Sequence, residues 1–199
     1  MGFFLTDYEA LSPVPRETLL RVARQGTGMF LNAGPQPHIM LNSFAAPLQG
    51  YMPCFITLTY TDRLRGCSGS LAAHAPLISD AVTNGIKAAT GDFRFTPLTT
   101  GHQLAKLQMK VAVLSCATTL DFNDQDDLLS QKIPGVLGLI LQYGAKRGTF
   151  LPMVWDSLPE RKNFLNALKV KAGLTADFWS EDSKVLQFQA ENFADPPKT

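Results

Sequence analysis

The chain has 199 residues, 45% of them apolar and 18% charged, with a formal net charge of +1 at neutral pH. This length fits one large domain that can build its core without disulfide or metal staples. The near-neutral balance excludes the overall electrostatic footprint of most nucleic-acid binders and leaves room only for a local basic face.

Three cysteines, Cys54, Cys67 and Cys116, are an odd number without C-x-x-C spacing, so neither a disulfide framework nor a zinc site follows, and a reducing compartment is the simpler reading. His38, His74 and His102 lie on separate loops without H-x-H or H-E-x-x-H spacing, so no metal is expected, and nothing identifies a cofactor. The longest apolar run, residues 136–141, is far short of the roughly 18 residues a membrane span needs. The start lacks a basic region followed by a hydrophobic stretch, and a cytoplasmic protein is expected. Met1-Gly-Phe-Phe-Leu-Thr6 fits the loose pattern for N-terminal myristoylation, for which chance is the simpler explanation.

Residues 15–31 read as a helix with Leu19, Leu20, Val22 and Ala23 inward and Gly26 and Gly28 weakening its end. Residues 32–53 contain four prolines and are expected to be a long excursion rather than an element. From Cys54 the period becomes two, and Thr61-Asp62 turns the chain into Arg63-Leu-Arg-Gly-Cys-Ser-Gly-Ser-Leu71, a hairpin. Pro76 opens a helix with Ile78, Val82, Ile86 and Ala89 on one face and Gly91 at its stop. Residues 106–115 alternate as a strand wet on one face, and residues 121–127 form an acidic turn or helix start.

A second hairpin is expected at residues 136–143 and 147–151 around Gly144-Ala-Lys146. Ser157 and Glu160, at capping-box spacing, then signal a helix with Phe164, Leu165, Leu168 and Ala172 inward and Gly173 at its end. Residues 184–190 read as a last strand, and the residues after 194 as a frayed tail. Hairpin then helix thus occurs twice, which suggests an internal duplication within one α+β domain of 199 residues with its core at about 15–193.

Leu64-Arg-Gly-Cys-Ser-Gly-Ser-Leu71 resembles the LRGCIG signature of the AMMECR domain family, the A component of the AmmeMemoRadiSam set. Pro76-Leu77, Asp80, Asn84, Asp92-Phe-Arg-Phe-Thr-Pro-Leu98, the strand at 110–114, Gly135-Val-Leu-Gly-Leu139, Arg147-Gly-Thr-Phe-Leu-Pro152, Trp155 and Lys171-Ala-Gly-Leu174 resemble the family in order and spacing. The resemblance implies two related strand and helix repeats forming a barrel-like, largely antiparallel sheet with flanking helices, and a cleft between a larger and a smaller part. It also implies company with Memo-like and radical SAM proteins in a modification pathway, with RNA as a suggested target. Ser68 stands where the family usually has Ile, Phe93 where it usually has Pro, and Met153 where it usually has Gln.

Strand alternation places Arg63, Arg65 and Cys67 on one face, and a guanidinium near a thiol favours the thiolate that attacks carbon. Cys67 is therefore either a reactive thiol or a small buried one. Gly66 and Gly69 either let a ligand approach the backbone or answer a twisted strand. His74 is a base for Cys67 or an exposed loop residue. Asp92 and Arg94 anchor an anion or tie a helix end to a loop. Arg147 and Thr149 share a face of the second hairpin and are expected to join Arg65 and Cys67 in a polar cleft, where two arginines suit phosphate or carboxylate. Trp155 stacks on a planar ligand or fills the core.

Two functions remain open. One is an enzyme or enzyme subunit that handles an anionic, RNA or other nucleotide-containing substrate in a modification pathway. The other is a non-catalytic adaptor or ligand-binding protein that scaffolds Memo-like or radical SAM partners.

Overall fold

The computed structural model describes residues 9–35, 37–131 and 136–196. The myristoylation pattern at residues 1–6, Gly135 of the second hairpin motif and residues 197–199 of the expected tail lie outside the described residues. The chain divides into two compact units, one of Glu9–Cys116 with the chain from Glu191 onward, the other of Ala117–Ala190.

In the first unit, α1 (Pro13–Leu31) opens on a proline, whose fixed φ suits a first turn and whose missing N–H costs no helical bond there. The helix runs to Leu31 as expected, and Gly26 within it answers to packing, since a β-carbon there would stand 2.7 Å from Val82 of the helix packed against it. The proline-rich excursion contains elements after all: a 3-10 turn, Leu41–Ser43, and the one-turn helix α2 (Ala46–Gln49). Pro47 pre-sets that turn and Leu48 is fully buried. A single anchoring leucine produces no periodicity to read in advance.

β1 (Cys54–Tyr60) and β2 (Arg63–Gly69) form the expected hairpin, and the positive φ of Thr61 and Asp62, 45° and 61°, matches a two-residue turn with the right-handed twist of its strands. α3 (Leu77–Thr90) is buried nearly all round, since it packs on this hairpin and against α1. The short helix α4 (Gly101–Ala105) adds to the expected elements, and Thr100 and Gln103 form its capping box. β3 (Gln108–Leu114) pairs antiparallel with the other edge of β1. Asp195 closes the unit, donating its N–H to Met109 O at 3.0 Å and accepting the Met109 N–H at 2.9 Å.

The second unit contains β4 (Thr118–Thr119), α5 (Gln125–Ser130), β5 (Leu137–Tyr143), β6 (Lys146–Phe150), α6 (Arg161–Lys171) and β7 (Lys184–Ala194), whose residues from Glu191 belong to the first unit. β5 lies between β6 and β7, antiparallel to both, and β4 pairs with β7. The expected capping box at Ser157 does not form: Glu160 is the N-cap, without a side-chain cap bond. Ser157 instead ends a 3-10 turn, Pro152–Asp156, and Pro159 disfavours helical backbone at the residue before it. The core gathers on Phe164, which stacks on Trp155 at 3.6 Å and meets Phe150 edge-on at 5.2 Å.

The fold is mixed α+β, with antiparallel strand pairings and flanking helices. Hairpin followed by helix occurs in both units, β1-β2-α3 and β5-β6-α6. No described helix is long and apolar enough to cross a membrane.

Candidate functional site

The hairpin register sets the site. Arg63 lies opposite Tyr60 and Leu64 opposite Thr59, yet Gly66 is already opposite Leu58, so Arg65 is an extra residue at a β-bulge. The bulge breaks the expected alternation: Cys67, opposite Thr57, keeps its face, whereas Arg63 goes to the other one. A two-residue period cannot register an inserted residue, and bulges re-aim side chains in this way.

Both glycines of the motif answer to packing. A β-carbon on Gly66 would stand 2.1 Å from Ala88 O on α3, and one on Gly69 would enter the Phe55 ring at 2.2 Å. Between them, Cys67 is half-buried, with its Sγ 3.4 Å from Thr57 Oγ1.

The loop after α3 supplies the rest. Gly91 N–H donates to Lys87 O at 2.7 Å and Leu98 N–H to Ala89 O at 2.8 Å, which folds residues 92–97 back on the helix end. Asp92 accepts the main-chain N–H of Cys67 at 2.9 Å. The same carboxylate accepts Arg94 Nε at 2.9 Å and Nη2 at 2.7 Å, and its side chain is only 5% exposed. The ion pair between them is therefore made, and with both carboxylate oxygens occupied it is bidentate.

The Arg94 hydrogen bonds hold the Asp92 carboxyl well below the usual carboxylate range, with burial opposing them and the Cys67 N–H assisting. Arg94 is raised in turn, mainly by Asp92, with nearby Cys67 the least of its causes. Arg65 spends Nη2 on Thr96 O at 2.6 Å, and both guanidiniums lie over the Phe95 ring, at 5.8 Å for Arg65 and 5.5 Å for Arg94. Arg94 is 49% exposed, and its Nη1, like the Nε and Nη1 of Arg65, has no hydrogen bond among the described residues. The arrangement offers two guanidiniums with open donors around the Phe95 ring, Arg94 being the one near the half-buried Cys67, a combination suited to a phosphate or carboxylate.

His74 is placed elsewhere. Its Nδ1 bonds Ala72 O at 2.9 Å and its Nε2 stands 3.4 Å from the buried Asp80, while the ring is 60% exposed. Asp80 and Asn84, which carry part of the family resemblance, bind the hairpin to α3. Asp80 accepts Cys54 N–H at 3.0 Å, Cys54 Sγ at 3.4 Å and Ser70 Oγ at 2.7 Å. Asn84 accepts Ser68 Oγ at 3.1 Å and donates to Cys54 O and Ser70 Oγ. This pair, four residues apart among buried residues that are otherwise apolar, is the readable signal that α3 ties the hairpin down by polar bonds. Burial first and Asp80 second push the Cys54 thiol up. Among the described residues, no three His, Cys, Asp or Glu side chains gather as metal donors.

The remaining expected site residues belong to the second unit. Arg147 is exposed on β6 opposite Gln142, and Thr149, opposite Ile140, has a buried hydroxyl with no hydrogen-bond partner among the described residues. Gly148 between them would place a β-carbon 2.7 Å from Leu168 O, repeating in this unit the relation of Gly66 to α3. Trp155 is 9% exposed, stacked on Phe164, and donates Nε1–H to Leu137 O at 2.8 Å.

A profile of the AMMECR1 family matches residues 20–193. A protein of Methanopyrus kandleri is 31% identical over 193 residues, covering 93% of this chain and 90% of that one. A protein of Methanocaldococcus jannaschii is 34% identical over 163 residues, with 78% and 79% covered. The crystal structure of an uncharacterized protein from Pyrococcus horikoshii has a TM-score of 0.83 at 29% identity and covers 94% of this chain and 95% of that one.

Proposed function

The chain belongs to the AMMECR1 family, and from that premise we propose that the surface around Arg65, Cys67 and Arg94 binds an anionic ligand on which Cys67 acts as a nucleophile. The observation that carries this reading is the double use of Asp92, which fixes the backbone of Cys67 and the guanidinium of Arg94 with one buried carboxylate. A thiol and a cation positioned by a common group suit nucleophilic chemistry on a substrate held by its charge. The protein would then serve as an enzyme or enzyme subunit in an RNA or small-molecule modification pathway, beside the Memo-like and radical SAM partners that the sequence resemblance suggests. The competing reading, a non-catalytic adaptor, draws on Arg65 and Asp92 as loop fasteners.

Alkylation of the folded protein separates the two. Cys116 is exposed and Cys67 only half-buried, so exposure alone makes Cys67 the slower. A nucleophilic Cys67 reacts faster than Cys116 with a small haloacetamide, and inorganic phosphate slows it selectively. Slower alkylation of Cys67, indifferent to phosphate, supports the adaptor.

A further inference from the structure

Resting on the anion site just proposed, we infer that its ligand also carries a planar aromatic group and that Phe93 selects for it, the fitting class being a nucleoside monophosphate unit. Phe93 is 96% exposed, the highest value among the exposed large apolar side chains of the described residues, whereas Phe95 two residues on is half-buried under both guanidiniums.

Exposure of one apolar residue means little on a mobile loop. This loop is braced on both sides of the ring. Asp92 is held by the Cys67 N–H, Arg94 by Asp92, Phe95 N–H by Asp92 O at 3.0 Å, Thr96 O by Arg65, and Leu98 N–H by Ala89 O. The backbone therefore keeps the ring in water, and a stacking partner meets a surface whose ordering cost is already met.

The open guanidinium donors of Arg94, the next residue in the loop, and of Arg65, which is bonded to the same loop at Thr96, decide the partner's chemistry. A loop that carries an exposed aromatic ring and engages two cations complements a group that is flat at one end and anionic at the other, as a nucleobase with its phosphate is. A purely apolar partner would bury Arg94 and Arg65 without satisfying them. The site makes no demand on whether the nucleotide is free or part of a strand.

Titration calorimetry of the whole protein with AMP, ribose 5-phosphate and a short single-stranded oligonucleotide tests this. AMP should bind about tenfold more tightly than ribose 5-phosphate, the gain expected of one stacked base. Phe93→Ala should reduce AMP to the affinity of ribose 5-phosphate and leave the latter unchanged, while Phe93→Trp should keep the preference. Equal affinities in the unaltered protein, or a preference that survives Phe93→Ala, overturn the role of Phe93. If ribose 5-phosphate still binds and weakens with Arg65→Ala or Arg94→Ala, the anion site stands without it. Binding of neither compound overturns both. An oligonucleotide that binds more tightly than AMP, through Phe93, assigns the nucleotide to a strand; one that does not assigns it to the free compound.

Discussion

A β-carbon on Gly66 would stand 2.1 Å from the carbonyl oxygen of Ala88, so β2 and α3 meet at that point through main chain alone. Gly148 holds β6 against α6 in the same way, 2.7 Å from Leu168 O. Gly66→Ala and Gly148→Ala should each destabilise the protein by at least the roughly 1–3 kcal/mol of an overpacked core site. Denaturant midpoints check this. A Gly66→Ala variant as stable as the parent would mean that the strand can move off the helix freely, and that the glycine serves a ligand instead.

The Asp92 carboxyl is held below its unfolded value by Arg94. A depressed folded pKa stabilises above the unfolded value, about 3.9, and that contribution is lost as pH falls through the folded one. Asp92→Asn should therefore flatten the stability profile below about pH 4 while leaving its alkaline side unchanged. An identical acid arm in the variant would remove Asp92 as the group that titrates.

Cys54 behaves oppositely. Burial and Asp80 raise its thiol, so its stabilising contribution is present below the unfolded value, about 8.5, and declines as pH rises from there toward the folded one. Under reducing conditions, Cys54→Ala should lessen the loss of stability above about pH 8.5, and an unchanged alkaline arm in that variant would remove Cys54 as its source. Asp80→Ala, which strips partners from the Cys54 N–H and the Ser70 hydroxyl, should cost about 3 kcal/mol, and Asp80→Asn less.

Trp155 tests core against ligand. Trp155→Phe leaves the Leu137 carbonyl without its donor and should cost about 1–3 kcal/mol, and Trp155→Ala about 3–5 kcal/mol. Neither should alter AMP binding. A stable Trp155→Ala variant with weakened binding would place Trp155 against the ligand.

Much of this architecture is legible in the sequence. The period of two at Cys54–Tyr60, the three-and-four spacing of Ile78, Val82, Ile86 and Ala89, and the inward set Phe164, Leu165 and Leu168 all sit where the pattern puts them. What the pattern misses is what a period cannot carry. The bulge at Arg65 adds a residue without changing composition, and α2 rests on one buried leucine. The capping box of α4 was readable as Thr100-Gly-His-Gln103. Ser157 and Glu160 gave the same kind of signal, but Pro159 intervenes and no box forms.

The site was legible in its residues and not in its pairings. Arg65 is the arginine nearest Cys67 in sequence, yet the one fixed by the same carboxylate is Arg94, 27 positions later. That pairing depends on the return of the loop from Ala89 to Leu98, a tertiary event with no local signature.

The most direct test of the shared carboxylate is a double-mutant cycle on the alkylation rate of Cys67. Asp92→Asn and Arg94→Ala should each change that rate, and the effect of the double variant should fall well short of the two single effects combined, because both act through one bonded unit. Cys116 supplies the reference rate in each variant. Unchanged rates in both single variants, or independent effects that simply add, would contradict a thiol and a guanidinium positioned together by Asp92.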